Sequence, residues 1–381
     1  MHVLIVRGIP GESRSADICS GRLATALRRL CPDWRVELVS PPGFLSTSSL
    51  LSKVVRYVYR YFVYPLVLLR RNADVYHIAD HSYGHLVPVL RRKRPTLVTC
   101  HDLINLRYPE RLTEEAQFPR LSAATWAYSV RSMQSATHVI SVSNHTKQEV
   151  RRLLNISQER ITVVPNGIDE AFRPLPPEDI TAFRRRHGVD TEALCLLHVG
   201  SVVGRKNIRS ILGAVRALVN QGVPVRFWKV GANFNAEQEA YIRRHRLREA
   251  VRYLGALPLS DLVRAYNAAD TFVFPSTNEG FGMPVIEAMA CGTPVVTSDV
   301  SALPETAGDA AMTVNPIDVE AIVGAILTLW QDPTCRQEMV TRGLARANAY
   351  TWERASRQVA GVYERVVEKS SRFSNVRKQQ F

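Results

Sequence analysis

Two carboxylates stand out in the segment NEGFGMPVIEAMACGTPVV, residues 278–296, because a glycine-rich turn separates them. Glu279 precedes the turn, and Glu287 falls one turn into the helix that Pro284 is suited to start. An ionised carboxylate can accept two hydrogen bonds from a vicinal diol such as that of a ribose. Backbone N–H groups at a helix start can bind anionic or hydroxylic groups. The segment therefore predicts a clamp for sugar rings with an anionic group between them.

The amides that this turn would present belong to Phe281, Gly282 and Met283. A simpler interpretation of the same residues stays open at this point. Glu287 would then only complement the helix dipole, and Glu279 would be a solvated loop charge.

A pair of cations follows another glycine loop in HVGSVVGRKNIRSIL, residues 198–212. Gly200 ends an apolar run, and Arg205 and Lys206 come shortly before a helical pattern. Arginine can fork onto phosphate oxygens, and lysine can act as a point charge beside it. The pair therefore predicts a diphosphate site, where charge develops as a nucleoside diphosphate departs. A solvated basic pair is the alternative interpretation.

The elements that would position these residues are short apolar runs separated by helical patterns. The runs lack polar alternation, which is typical of parallel strands covered by helices on both faces. They occupy residues 2–6, 35–39, 74–78, 96–100, 137–143 and 160–166, and then 195–201, 225–231, 251–257, 271–276, 294–299 and 310–316. The proline-rich segment 171–183 lies between the two sets. We therefore expect an α/β chain with two doubly wound domains, residues 1–172 and 173–351, and a ligand cleft between them.

Composition narrows the classes of partner. The formal net charge of +14 favours anionic partners, but no RNP-like aromatic set accompanies it, so we expect no nucleic acid. The six cysteines show no C-x-x-C spacing, and His77, His81 and His85 lack a companion ligand, so we expect no metal site. The apolar run of MHVLIVRGIP is too short for a signal peptide, which predicts a cytoplasmic protein.

Residues 52–71, SKVVRYVYRYFVYPLVLLRR, form the most membrane-like stretch. Arg56, Arg60 and Pro65 interrupt it, so it is too short to span a bilayer. One interpretation is a core helix kinked at the proline. The other is a surface that contacts an anionic inner membrane face or a lipid-linked acceptor, since Tyr57 lies among these basic residues.

The motifs resemble those of a known family. EGFGMPVIE followed by AMACGTPVV is similar to the signature of the retaining GT-B glycosyltransferases of family 4. Further matches are DVYHI, VTCHDL, VISVSNHTKQEV, VVPNGID, HVGSVVGRKN and YNAADTFVFPSTNEGFG, which together cover most of residues 70–315. The resemblance implies the GT-B fold, with two Rossmann-like domains facing a central cleft. It also implies that the helix at 352–368 returns to the N-terminal domain, and we expect residues 369–381 to be a loose basic tail.

The resemblance assigns roles to particular residues. Glu279 would contact the donor-sugar hydroxyls, Glu287 would hold the ribose, and Arg205 with Lys206 would hold the diphosphate. His101, in VTCHDL, matches the family histidine beside the reacting sugar, and Asp102 would orient its loop. These two come from the N-terminal domain, so the two halves would have to face each other.

One departure from the family concerns the loop after the first strand, GIPGESRS at residues 8–15. Many relatives carry two adjacent glycines there, whereas Gly11 is followed by Glu12. Gly11 could still let the backbone approach the donor phosphate or the acceptor.

The activity implied is transfer of a hexosyl unit from a nucleoside-diphosphate sugar to an acceptor hydroxyl, with retention at the anomeric carbon. The acceptor would be a sugar or a lipid-linked molecule, in cell-surface polysaccharide or glycolipid assembly. The nucleotide sugar is the donor substrate, no separate cofactor is expected, and the cation pair would replace a divalent metal. A GT-B sugar-nucleotide epimerase and a non-catalytic anion-binding scaffold are the alternatives.

Overall fold

The computed structural model describes residues 1–43, 50–108, 120–190 and 192–378. The chain forms two compact units, one of Met1–Gly167 with Thr351–Phe381 and one of Ile168–Tyr350. Each unit contains one parallel sheet of six strands within the described residues. This confirms the predicted pair of doubly wound α/β units.

The strands of the first unit are β1 His2–Val6, β2 Arg35–Val39, β3 Val75–Ile78, β4 Thr96–Cys100, β5 His138–Ser141 and β6 Ile161–Val163. They form a sheet in the order β2-β1-β3-β4-β5-β6. Its central strands are runs of apolar residues whose side chains are buried on both faces, as in Val3 to Val6 of β1. Such strands need helices on both sides because neither face can meet water.

Helices of the first unit connect these strands. They are α1 Arg14–Leu30, α2 Leu50–Val58, α3 Tyr64–Leu69, α4 Val87–Leu90, α5 Ile104–Arg107, α6 Arg120–Arg131 and α7 Asn144–Leu154. Ser13 caps α1 by accepting a hydrogen bond from the backbone N–H of Ala16, and Ser143 caps α7 in the same way. Short 3₁₀ turns lie at His81–Leu86, Ser132–Ser135 and Gln158–Arg160.

One helical turn of a different kind joins α2 to α3. The π-turn Tyr59–Val63 lets the N–H of Tyr64 reach the carbonyl of Tyr59. Pro65, which follows directly, has no N–H to donate to the preceding turn, and this missing bond favours such an irregularity. The predicted proline kink is therefore a π-turn just before the proline. Among the described residues, no helix combines the length and the apolar character needed to cross a membrane.

The sheet of the second unit has the order β12-β11-β10-β7-β8-β9. Its strands are β7 Leu194–Gly200, β8 Val225–Gly231, β9 Val251–Gly255, β10 Thr271–Phe274, β11 Val295–Ser298 and β12 Met312–Val314. Its helices are α8 Pro177–Arg186, α9 Ile208–Asn220, α10 Ala236–Arg244, α11 Leu259–Ala268, α12 Met283–Ala290, α13 Leu303–Ala307, α14 Val319–Gln331 and α15 Pro333–Ala347. The strands β7 and β10 are neighbours at the centre of the sheet, so their carboxyl ends lie side by side.

The last helix, α16 Trp352–Lys378, belongs to the first unit and packs against α1. Val362 and Tyr363 are fully buried in one core cluster with Val3 and Ile5. The helix continues to Lys378, over residues that were expected to be loose. No proline or glycine interrupts this stretch, and Glu368 pairs with Arg372 one turn later. Residues 379–381 of the predicted tail lie outside the described residues.

Candidate functional site

Three charged side chains from two loops come together at one carboxylate oxygen in the second unit. Lys206 Nζ lies 2.6 Å from Glu279 Oε1, and Arg205 Nη1 lies 2.8 Å from the same atom. Lys206 and Glu279 are each only 8% exposed. They meet because Lys206 follows β7 and Glu279 follows β10, and those two strands are neighbours. The sequence predicted separate roles for the acid and the two cations, whereas the structure joins them into one cluster.

Electrostatics keep this cluster ionised. Burial raises the pKa of the Glu279 carboxyl, but Lys206 and then Arg205 outweigh that effect, and the pKa lies below its usual range. Lys206 also sits 4.6 Å from the ring centroid of Phe274, a cation–π contact. With one anion and two cations, the cluster carries a net positive charge. It is therefore suited to bind a further anion.

A buried lysine that sequence reasoning missed holds the adjacent glycine loop. Lys229, on β8, is fully buried, and its Nζ donates to the carbonyls of Gly200, Val230 and Ala232 at 2.7, 2.9 and 3.0 Å. Burial, and then Lys206, lowers its pKa to about 8. The signal in the sequence was a single lysine in the otherwise apolar end of VRFWKVG.

Gly200 itself has a backbone that favours glycine, with φ at +148°. A Cβ atom built there would lie 3.6 Å from Nε2 of His198 and 3.7 Å from Cε of Lys206. His198 Nδ1 lies 3.0 Å from the carbonyl of Val273, so Nδ1 carries the proton and Nε2 is an acceptor. Burial, and then Lys229, lowers the pKa of His198 well below its usual value, which keeps the ring neutral. His198 is a second neighbour of the loop that the sequence did not reveal.

The start of α12 presents backbone donors beside the charged cluster. Gly282 is the N-cap with φ at +111°, and a Cβ atom there would lie 2.8 Å from Leu303 Cδ2. Within the described residues, the N–H groups of Gly282 and Met283 have no hydrogen-bond partner. Phe281 is buried against Tyr350, which fixes the turn from its other side. The loop is thus shaped to direct amides outward, as the helix dipole requires for an anion.

The side chain of Glu287 has a defined hydrogen-bond partner among the described residues. The hydroxyl of Tyr266 donates to Glu287 Oε2 at 2.8 Å. Burial raises the pKa of the Glu287 carboxyl to about 7, and the Tyr266 hydrogen bond only partly offsets this. A ligand diol that donates to the carboxylate would favour the ionised form.

In the first unit, His101 and Asp102 follow β4. His101 Nε2 donates to the carbonyl of Ala79 at 3.0 Å, so its Nδ1 is left as an acceptor. Burial lowers the pKa of His101, which favours the neutral ring. Asp102 Oδ1 accepts the N–H of Ile104 at 3.2 Å and so holds the turn into α5. These contacts fix the orientation of the His101 ring and of the turn that follows it.

The structure explains the departure at Glu12. Gly11 has φ at +87°, and its N–H donates to Asp17 Oδ2 at 2.9 Å. Glu12 Oε2 accepts the Tyr83 hydroxyl at 2.7 Å and lies 3.3 Å from Arg60 Nη1. The acid that replaces a second glycine therefore anchors the loop to the rest of the first unit.

Two of the three clustered histidines have separate partners. His77 contacts the hydroxyls of Tyr363 and Thr99, at 2.6 and 2.7 Å. His85 contacts the Ser129 hydroxyl at 2.8 Å. In the described part of the chain, no three histidine, cysteine or acidic side chains come together as they would around a metal.

Comparisons with known proteins identify the family of the chain. Residues 6–172 match the family model described as Glycosyltransferase Family 4, and residues 193–332 match the one described as Glycosyl transferases group 1. The O-antigen chain mannosyltransferase B of Escherichia coli is 34% identical over 61% of this chain. The chain spans 62% of the length of that relative.

Two solved structures share the fold. Sucrose-phosphate synthase from Thermosynechococcus elongatus has a TM-score of 0.79 and 22% identity, over 97% of this chain and 100% of that one. Anabaena Alr3699/HepE, solved in complex with UDP and glucose, has a TM-score of 0.74 and 19% identity, over 96% and 99%. The two sheets with their helices therefore form the GT-B fold. The two family models together cover most of the residues, and the chain belongs to the family 4, or group 1, glycosyltransferases.

Proposed function

We propose that this chain transfers a hexosyl unit from a nucleoside-diphosphate sugar to an acceptor hydroxyl, with retention at the anomeric carbon. The observation that carries the proposal is the cluster of Lys206, Arg205 and Glu279 beside the unpartnered amides of Gly282 and Met283. A diphosphate needs both cations and directed N–H donors, and these residues supply both at the carboxyl ends of adjacent strands.

The cluster would do its chemical work as the donor bond breaks. Negative charge then builds on the departing diphosphate, and Lys206 and Arg205 are already held in place by Glu279. Such prearranged charges stabilise a transition state without reorganising during the reaction. We propose that the departing phosphate also helps to deprotonate the acceptor hydroxyl.

The two carboxylates would bind different parts of the donor. Both cations contact Oε1 of Glu279, and we propose that this carboxylate also accepts from a hydroxyl of the donor sugar. Glu287 would accept from the ribose diol, which requires its ionised form. In the first unit, Nδ1 of His101 is proposed to accept from the reacting sugar.

The relatives support a more specific proposal. The similar O-antigen chain mannosyltransferase supports a mannosyl donor and a role in surface polysaccharide assembly. The similar fold that binds UDP and glucose supports a nucleotide sugar as donor. The acceptor is proposed to be a sugar or a lipid-linked saccharide.

The first experiment is a thermal-shift panel of UDP, GDP, ADP and CDP with their sugar conjugates. One nucleotide should raise the Tm selectively, since a ligand at a hundred times its Kd adds about 2.7 kcal/mol of stability. Glu287→Ala should weaken that shift, while the control Glu237→Ala, at an exposed carboxylate of the same unit, should not. A folded protein that responds to no nucleotide would contradict the proposal.

Product analysis then separates transfer from the alternatives. With the selected nucleotide sugar and an acceptor saccharide, NMR of the product should show the anomeric configuration of the donor. An inverted product would contradict retention. Conversion of the donor to its epimer without transfer would instead support the epimerase.

A further inference from the structure

The helical segment Leu50–Leu69, formed by α2, the π-turn and α3, carries an unusual outer face. Eight of the fifteen exposed large apolar side chains in the described residues lie within it. Leu51 is 74% exposed, Phe62 63% and Leu66 60%. We name these eight side chains the apolar stripe: Leu51, Val54, Val55, Val58, Phe62, Val63, Leu66 and Leu69.

The apolar stripe runs along one side of the helix. Its members recur at steps of three and four residues, so they line one face over a length of about 30 Å. Soluble proteins seldom expose a continuous apolar patch of this extent unless it binds something.

The inner face of the same segment is firmly attached to the first unit. Tyr64 and Leu68 are buried, and the Tyr64 hydroxyl donates to the carbonyls of Arg7 and Val39, each at 3.0 Å. Arg60 also turns inward, where it pairs with Glu12 and lies 4.0 Å from the ring centroid of Tyr83. The helix therefore cannot roll to hide the apolar stripe without losing these contacts.

A basic cluster adjoins the end of the stripe. Lys93 Nζ donates to the carbonyls of Leu69 and Arg71, at 2.7 and 2.8 Å, which ties the loop RRKR to the end of α3. The basic cluster consists of the exposed residues Arg70, Arg71, Arg91, Arg92 and Arg94. One carboxylate, Glu37, lies 4.0 Å from Arg71, and the sequence has no acid between residues 38 and 73.

We infer that the apolar stripe and the basic cluster dock the first unit on an anionic membrane surface. An amphipathic helix lies in the plane of such a surface, with its apolar side chains among the headgroups. Lysine and arginine near that surface are attracted by anionic lipids. A helical face of exposed apolar side chains with arginines beside its end suits an anionic lipid surface, because both the apolar and the charged parts of the face then find a partner.

Vesicle sedimentation with the full chain tests this inference without any assay of transfer. Vesicles rich in phosphatidylglycerol should retain the wild type at physiological salt, and vesicles of phosphatidylcholine alone should retain much less. Phe62→Ser with Leu66→Ser should weaken binding at least tenfold. The control, Val219→Ser with Leu259→Ser, removes exposed apolar side chains of the second unit and should change nothing.

A second variant and its matched control test the contribution of the basic cluster. Arg91→Gln with Arg92→Gln should weaken binding about fivefold for each charge removed. Arg185→Gln with Arg186→Gln removes the same charge from an exposed site on α8 and should have little effect. Raising the salt concentration should release the wild type and narrow the difference between the variants.

Three results would overturn the inference. In the first, the wild type is absent from the phosphatidylglycerol pellet, and in the second, the stripe variant sediments as fully as its control; either result excludes the lipid partner. In the third, sedimentation velocity shows that the wild type is a dimer and the stripe variant a monomer, and vesicles retain no protein. The apolar stripe would then contact a second copy of this chain. Circular dichroism checks that each variant is folded.

Discussion

The two units place a glycine loop after a strand of their sheets, but they hold these loops in different ways. In the second unit, Glu279 and Phe281 are buried, and a Cβ atom built at Gly282 would lie only 2.8 Å from Leu303 Cδ2, closer than van der Waals contact. In the first unit, Gly11 is exposed, and no described atom lies within 4 Å of the position of its Cβ.

This difference indicates where each unit can tolerate change. A buried ion cluster is costly to break because the surviving charge stays desolvated. Replacing a glycine in an exposed turn costs only the strain of holding a side-chain-bearing residue in that backbone conformation. The second loop is therefore held more rigidly than the first, and four substitutions test that contrast.

Glu279→Gln should have the largest effect. It leaves Lys206 buried without its carboxylate, which should lower the free energy of unfolding by about 3 kcal/mol. It also misplaces two cations, so the rate of transfer should fall on the order of a hundredfold. Denaturant unfolding and initial rates with the selected nucleotide sugar measure the two effects.

The matched control is Glu237→Gln, whose carboxylate lies 2.8 Å from Arg209 in the same unit. Those side chains are 73% and 76% exposed, so the change should stay below about 0.5 kcal/mol. If both variants lost a similar amount of unfolding free energy, the buried cluster would behave like an exposed ion pair, and the contrast between the two loops would be wrong.

The sequence predicted the architecture well because its strands consist almost entirely of apolar residues. Buried parallel strands appear as apolar runs, and their boundaries follow from the loops that interrupt them. The end of α16 was missed because polar, basic residues favour solvent but do not prevent a helix that has Glu368 and Arg372 at the right spacing.

The sequence named candidate site residues but could not give the contacts between them. Glu279, Arg205 and Lys206 were identified separately, and only the strand order brings them to one oxygen atom. Lys229 was missed because its role depends on three carbonyls that converge in space. The sequence left open whether the segment with Arg60 lies in the core or at a lipid-facing surface, and the structure shows Arg60 itself paired with Glu12 and packed on Tyr83.

Gly282→Ala should have the next largest effect. The new methyl group would meet Leu303 at 2.8 Å in a backbone conformation that alanine rarely adopts. The two costs together should lower the free energy of unfolding by about 2 kcal/mol or more, and nucleotide affinity should fall with it.

Gly324→Ala is the control, since Gly324 lies within α14 with no described atom in contact range. Helix propensity should make that variant more stable by about 0.5–1 kcal/mol. A tolerated Gly282→Ala would show that this loop is as adjustable as the first.

Glu287→Gln should reveal a pH dependence. The folded pKa of about 7 exceeds the ordinary value of 4.5, so between these values the folded state holds a proton that the unfolded state has lost. The free energy of unfolding should therefore fall as pH rises from about 4.5 to about 7, by at most about 1.4 kcal/mol per pH unit. The glutamine variant should lack this contribution and be the more stable protein above pH 7.

Nucleotide binding should show the opposite trend at Glu287. A ribose diol favours the carboxylate, so affinity in the wild type should rise with pH up to about 7 and then level off. Calorimetry in buffers of different ionisation enthalpy should detect proton release below pH 7. An affinity that is independent of pH, or unchanged in Glu287→Gln, would remove the ribose from this carboxylate.

Gly11→Ala should have the smallest effect on the free energy of unfolding. The size of that effect tests the comparison between the two loops most directly. Gly11 and Gly282 both have positive φ, at +87° and +111°, but only Gly282 has a neighbour in the way of a methyl group. Gly11→Ala should therefore cost only the conformational part, about 1 kcal/mol. Gly21→Ala, within α1 and also free of described neighbours, gives the helical reference and should be slightly stabilising. If Gly11→Ala costs as much as Gly282→Ala, the backbone conformation explains both loops, and burial is not what separates the two units.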